Sequence, residues 1–178
     1  MDAFETERLV AHEWDPELHL EGAFAIYGDP EVVRYIGTGP AQTLDEMRTR
    51  LLEVASRNAR LRHGLGSWPL FDKSSGELVG AVLLKPLPTS GTNGALGTDI
   101  EIGWHLARRH WGRGFATEAG RALVQRGFTQ LNLRELHAVV ESPNQRSQAV
   151  ARRLGMKHLG RTDRYYDLEL EHFVLRAD

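Results

Sequence analysis

The chain has 178 residues, 41% hydrophobic and 26% charged, with a formal net charge of −2. That mix suits one globular domain over residues 1–178 with a core of its own, and so mild a charge gives no reason to expect nucleic acid or a membrane surface as partner. The absence of cysteine removes disulfides, thiolate metal sites and a cysteine nucleophile together.

Leu9–His12 reads as a first strand. Asp15-Pro16-Glu17 opens a helix with an acidic cap and an early proline, carrying Leu18, Ala23, Phe24 and Ile26. Gly28-Asp29-Pro30 breaks it, one helical turn follows, and Gly37-Thr38-Gly39-Pro40 is a loop. Thr43-Leu44-Asp45-Glu46 has the form of a capping box, starting a helix to about Arg62 with Leu44, Met47, Leu51, Leu52 and Ala55 on one side. Residues 65–72 and 77–85 read as a hairpin across Lys73-Ser74-Ser75-Gly76. The Gly-, Thr- and Pro-rich stretch 86–97 is a loop. Beyond it, 99–106 is a strand, 114–128 a helix, 133–140 a strand and 144–154 a helix. Strands near 157–161 and 166–175 close an α+β layout on a mixed sheet.

The most informative stretch is Arg109-His110-Trp111-Gly112-Arg113-Gly114-Phe115-Ala116-Thr117-Glu118-Ala119. A strand, a glycine turn and a helix N-terminus make an anion site, because main-chain N–H groups and the helix dipole both favour negative charge there. The dinucleotide fingerprint fits poorly, since Thr117 stands where its third glycine belongs. The phosphate loop is excluded, because no Gly-Lys pair occurs. A glycine turn that merely starts a helix is the bland alternative. What fits is [Gln/Arg]-x-x-Gly-x-[Gly/Ala], met by Arg109, Gly112 and Gly114, which resembles the acetyl-CoA pyrophosphate loop of the GNAT acyltransferases. Asn144-Gln145-Arg146-Ser147, followed by Leu154-Gly155-Met156, resembles the second element of that superfamily. Glu101-Ile102-Gly103-Trp104 resembles the strand before its loop. Thr6-Glu7-Arg8-Leu9 is similar to the opening of the ribosomal-protein N-terminal acetyltransferase branch.

The resemblance runs from about Phe4 to Val174. It implies the GNAT fold: a mixed, mostly antiparallel central sheet with about four helices, whose fourth and fifth strands (99–106 and 133–140) splay around the acyl-pantetheine. It implies acetyl-CoA as cosubstrate, bound by the backbone of Trp104, His105 and Leu106, by Arg109, Gly112, Arg113, Gly114, Phe115, Ala116 and Thr117, and by Asn144. It also implies an amine acceptor. This is expected to be a peptide N-terminal α-amine, with a small amine, amino sugar or drug as alternative. A non-catalytic acyl-CoA sensor is the rival from another class.

Transfer from a thioester to an amine needs a base for the ammonium, donors for the oxyanion and an acid for the thiolate. Without cysteine, direct attack in a ternary complex is expected. Period-two alternation puts Glu101, Gly103 and His105 on one strand face, and Glu101 is the candidate base. Partial burial would raise its pKa, although a carboxylate paired across strands would look the same from sequence. Asp99 and Glu141 are the substitutes and His105 a weaker one. The superfamily's usual acid, a tyrosine seven residues after the asparagine, is Ala151 here. That leaves Ser147 as the candidate acid, and Ser147 and Asn144 could equally serve as helix caps. Tyr165-Tyr166-Asp167 is a candidate lining for the acceptor cleft, with core packing as the alternative. The histidines show no spaced ligand motif, so no metal is expected. With neither a leader signature nor a membrane-length apolar run, a cytoplasmic location is expected. A homodimer is open.

Overall fold

The computed structural model describes residues 3–62 and 64–177. Short strands β1 (Phe4–Glu5) and β2 (Leu9–Ala11) lead into α1 (Leu20–Tyr27), the single turn α2 (Pro30–Val33) and α3 (Leu44–Arg60). The Asp15 carboxylate accepts the amides of Glu17 and Leu18, but regular helix begins only at Leu20, and Leu18 is left exposed in the turn before it. Asp29 caps α2 through the Glu31 amide. Thr43 caps α3 by accepting the Glu46 amide, while the Glu46 carboxylate reaches the amide of Gln42, one residue upstream of a standard capping box. Met47 and Leu51 of α3 are buried, whereas Leu44 and Leu52 are exposed.

β3 (Gly66–Asp72), β4 (Leu78–Pro88) and β5 (Leu96–Leu106) form the antiparallel centre. β4 is buried along most of its length, as a central strand covered on both faces should be. Its Val79, Val82 and Leu84 belong to the core with α4 (Phe115–Gln125) and α5 (Gln145–Arg153), and its Leu78 and Ala81 to the core with α1, α2 and α3. The helices therefore cover opposite faces of one sheet. β6 (Glu135–Val140), β7 (Lys157–Tyr165) and β8 (Leu168–Arg176) complete eight strands in the order β1-β2-β3-β4-β5-β6-β8-β7. β5 and β6 make the one parallel pair among the described residues.

This is the expected α+β fold with a mixed, mostly antiparallel sheet; the described residues form five helices where about four were expected, because α2 counts as one. The fourth and fifth strands expected to splay are β5 and β6 here, since the N-terminal segment is split into β1 and β2. Strand signal also underestimates the central hairpin. β4 runs to Pro88 and β5 starts at Leu96, so the expected loop 86–97 shrinks to residues 89–95. α4 ends at Gln125 and continues as a π-helical turn, Arg126–Gln130. No helix is long and apolar enough to cross a membrane among the described residues.

Candidate functional site

β5 leaves the sheet through a 3-10 turn at Arg108–His110 and enters α4 through Trp111-Gly112-Arg113-Gly114. Gly112 and Gly114 have φ of +76° and +82°, a region that side chains with a β-carbon rarely adopt. No protein atom stands within 4 Å of a β-carbon placed on Gly112, so conformation rather than packing demands glycine there. No side chain caps α4, and the first amide bonded inside it is that of Glu118, to Gly114 O at 3.0 Å. The amides of Phe115, Ala116 and Thr117 thus have no intrahelical acceptor, and the positive end of the helix dipole lies at the same place.

The side chains around this turn are organised by Arg8, which belongs to the Thr6–Leu9 opening element but to which the resemblance assigns no role at the turn. Its guanidinium donates to Glu118 at 2.6 Å and to Arg113 O at 3.0 Å, and lies 4.8 Å from the Phe115 ring centre. Arg113 reaches His110 Nδ1 at 2.9 Å. Arg109 turns away to pair with Glu77, so its side chain is engaged on the hairpin between β3 and β4. Thr117 is buried.

Between β5 and β6 the ladder is reduced to one register pair, Glu101↔His137. Beyond it, the facing edges of 102–106 and 138–140 have no ladder partner, which leaves unpaired strand edges opposite each other. Trp104 packs against the α4–α5 core, and Leu106 is buried. The Leu106 carbonyl accepts the Trp111 indole N–H at 2.8 Å, so one of the expected amide partners is already engaged by the protein. The Arg146 guanidinium stacks on Trp111 at 4.5 Å and ties the start of α5 to the glycine turn. Asn144 caps α5, its side chain accepting the Ser147 amide at 3.1 Å; Ser147 sits half-buried in that first turn. The gap is thus framed by two helix N-termini and two strand edges.

Glu101 is 9% exposed. The cross-strand pairing weighed for it exists, with a lysine as partner: Lys85, opposite it in the ladder, lies 3.1 Å from Oε2. The Tyr166 hydroxyl donates to the same oxygen at 2.5 Å, and Lys85 Nζ donates to that hydroxyl at 2.6 Å. Burial, then the Glu101 charge, pushes the Tyr166 hydroxyl far up, so it stays a donor. Expected as strand, Tyr166 and Asp167 instead form the two-residue turn between β7 and β8, with φ of +61° and +55°. Such turns favour Asn-Gly, and the Tyr-Asp pair carries none of that signal. The tip is held by Asp167 Oδ1 accepting the Gly91 amide at 2.7 Å and by the Asp167 amide donating to Ser90 Oγ at 3.0 Å. Asp99, the substitute base, is taken up by Tyr165 at 2.6 Å and Arg164 at 3.1 Å.

His105, on the same face, meets the Tyr27 hydroxyl at 3.3 Å. Burial first, and the Lys85 charge second, lower its pKa to about 4. Its neutral form is therefore the one the fold accepts. Between an unfolded value of about 6.5 and the folded value, the unfolded chain binds a proton that the folded chain refuses. Folding stability is expected to fall as pH drops through that window, with a slope of at most ~1.4 kcal/mol per pH unit from one such group. His19, His110 and His172 are lowered too, each chiefly by burial. Urea unfolding of His105→Gln should show a shallower loss between pH 6.5 and 4 than the parent; an identical slope would put His105 outside this effect.

A family model described as an acetyltransferase (GNAT) domain matches residues 8–157. The FsC-acetyl coenzyme A-N(2)-transacetylase of Aspergillus fumigatus is 31% identical over 153 residues, 84% of this chain and 63% of its own length. Among solved structures, a GNAT-family acetyltransferase from Bacillus anthracis superposes with a TM-score of 0.79 at 20% identity, over 99% of this chain and 98% of that one. RimL, a ribosomal L7/L12 alpha-N-protein acetyltransferase in complex with coenzyme A, gives 0.76 at 16% identity over 100% and 99%. At these identities the two structures speak to the fold.

Proposed function

The chain belongs to the GNAT acetyltransferase family, and from that membership we propose that it moves an acetyl group from acetyl-CoA to a primary amine by direct attack in a ternary complex. The observation that carries this reading is the uncapped N-terminus of α4, with Gly112 and Gly114 before it, opening beside the unpaired edges of β5 and β6. The amides of Arg113 to Thr117 suit a pyrophosphate, the backbone of Trp104 to Leu106 suits an amide-bearing arm laid along the strand, and Asn144 adds a polar group at the start of α5. Arg109 contributes positive potential near the turn although its guanidinium is paired. Acetyl-CoA supplies the thioester carbonyl.

Glu101 takes the proton from the acceptor ammonium, directly or through one water. Lys85 and Tyr166 fix the rotamer of its carboxylate. As the carbon–nitrogen bond forms and the carbon–sulfur bond breaks, Ser147 returns a proton to the leaving thiolate. The amine enters from the α1–α3 face, on which Glu101 lies.

The acceptor is best read as the α-amine of a peptide whose first residues are neutral or acidic. A cleft of about 500 Å³, lined among the described residues by Arg57, Arg60, Lys85 and Tyr166 with others and by no carboxylate, adjoins Glu101 through the last two of these. With Lys85 already paired to Glu101, the unbalanced charge of the lining is that of Arg57 and Arg60, which repels polyamines and cationic amino sugars and attracts carboxylates. A second reading, a small amine bearing an acidic group, is supported by the size of this cleft, which falls in the range of small-molecule sites.

Release of free thiol from acetyl-CoA, measured over acidic, neutral and basic N-terminal peptides, amino acids, polyamines and amino sugars, tests both. Acidic or neutral peptides should turn over fastest, and Arg57→Glu with Arg60→Glu should cut their kcat/KM at least ~tenfold, equivalent to ~1.4 kcal/mol. Preference for polyamines would remove the acceptor assignment. Acetyl-CoA binding without turnover of any amine would favour the sensor instead.

A further inference from the structure

Alternation along β5 and β6 brings Asp99, Glu135 and His137 together on the face that carries Glu101. The atoms Asp99 Oδ1, Glu135 Oε1 and His137 Nε2 lie within 4.8 Å of one another. His137 is 4% exposed, and its Nε2 points at both carboxylates, 3.4 Å from Glu135 and 3.9 Å from Asp99. Yet that nitrogen makes no hydrogen bond. A buried polar atom without a partner is costly, and a nitrogen lone pair aimed between two carboxylates is costlier still unless something positive lies between them.

The opposite atom of each group is already held. His137 Nδ1 meets His172 Nε2 at 2.9 Å. With the proton on His137 Nδ1 donated to His172, Nε2 is a bare lone pair, the form in which histidine binds metals. Asp99 Oδ2 accepts from Tyr165 at 2.6 Å and Arg164 at 3.1 Å, and Glu135 Oε2 accepts from Arg176 at 3.2 Å. Adjacent ligands of a tetrahedral zinc ion stand about 3.4 Å apart for bonds of ~2.1 Å; the His137–Glu135 separation matches this at 3.4 Å, and Asp99, at 3.9 Å from His137, needs a small inward shift to join them. One imidazole with two carboxylates suits a zinc-type ion rather than magnesium, which keeps mostly oxygen and water ligands. The two arginines reduce the negative potential but bind the outer oxygens.

We propose that Asp99, Glu135 and His137 form a binding site for one zinc-type divalent ion that bridges β5 and β6 at the closed end of the cleft. His137 is the register partner of Glu101 in the single pair joining these strands. An ion here reinforces that pair and fixes where the splay begins. Ligand spacing along the chain gives no sign of such a site, because Asp99 lies far from Glu135 and His137 in sequence and only the parallel pairing brings them together. The inference does not depend on the acceptor.

Protein stripped with chelator and titrated calorimetrically with zinc chloride should bind one equivalent with a Kd below ~10 μM, with magnesium chloride giving no heat. Glu135→Gln and His137→Gln should each weaken binding at least ~tenfold. Two variants are used because the buried histidine substitution is the more prone to unfold; circular dichroism before titration checks both. Zinc should also raise the unfolding temperature of the parent but not of Glu135→Gln. Absence of saturable binding below ~100 μM, or one-equivalent binding that survives both substitutions, would overturn the assignment.

Discussion

Glu101→Gln is expected to lower kcat by roughly a hundredfold to ten-thousandfold, the range that a positioned general base supplies, while leaving acetyl-CoA affinity nearly unchanged. Glutamine keeps the shape and can still accept the Tyr166 hydroxyl, so the comparison isolates the loss of a proton acceptor. The acidic limb of the kcat profile against pH should flatten as well. One complication is structural. Glu101 pairs with Lys85, with side chains only 11% and 19% exposed, and removing one partner of a buried pair leaves an uncompensated charge. Unfolding temperature and calorimetric acetyl-CoA binding must therefore be measured on the same sample. A folded, acetyl-CoA-binding variant that keeps its turnover and its pH profile would move the base elsewhere.

Gly114→Val should weaken acetyl-CoA binding by more than tenfold, or over ~1.4 kcal/mol. Two causes act together. A φ of +82° costs a residue with a β-carbon roughly 1–2 kcal/mol, so the turn relaxes and the amides behind it lose their common direction. The added β-carbon also meets the Arg8 guanidinium at 3.3 Å, disturbing the side chain that holds Arg113 O and Glu118. Gly160→Val is the control. Its φ is +94°, with nothing within 4 Å of an added β-carbon, and it lies on the edge strand β7, so it carries similar strain away from the turn. Equal losses in both variants would point to general destabilisation. Unchanged affinity in Gly114→Val would remove the pyrophosphate assignment.

Both substitutions concern residues that the sequence singles out, because the turn and the candidate base are local in origin. A strand followed by Gly-x-Gly and a helix makes an uncapped N-terminus wherever it folds, and period-two alternation puts Glu101 with His105 whatever the neighbours. Of the expected caps, Thr43 and Asn144 cap the helices they precede, whereas Asp15 holds only the turn before α1. The family was equally legible, since Arg109 to Thr117, Asn144 to Ser147 and Leu154-Gly155 stand in the order that the matched family model spans.

What only the tertiary structure decided comes from pairings between distant segments. Lys85 became the partner of Glu101 through the β4–β5 register, and Tyr166 reached it because an unfavourable two-residue turn is held by contacts to residues 88–91. Arg8 crossed to Glu118 and the glycine turn, and Trp111 took the Leu106 carbonyl. Asp99, Glu135 and His137 met because two strands far apart in sequence run parallel at a single pair. Periodicity and capping act over a few residues and are written in neighbouring letters. The charges, donors and orphaned nitrogen of the site depend on strand register, which long-range packing sets.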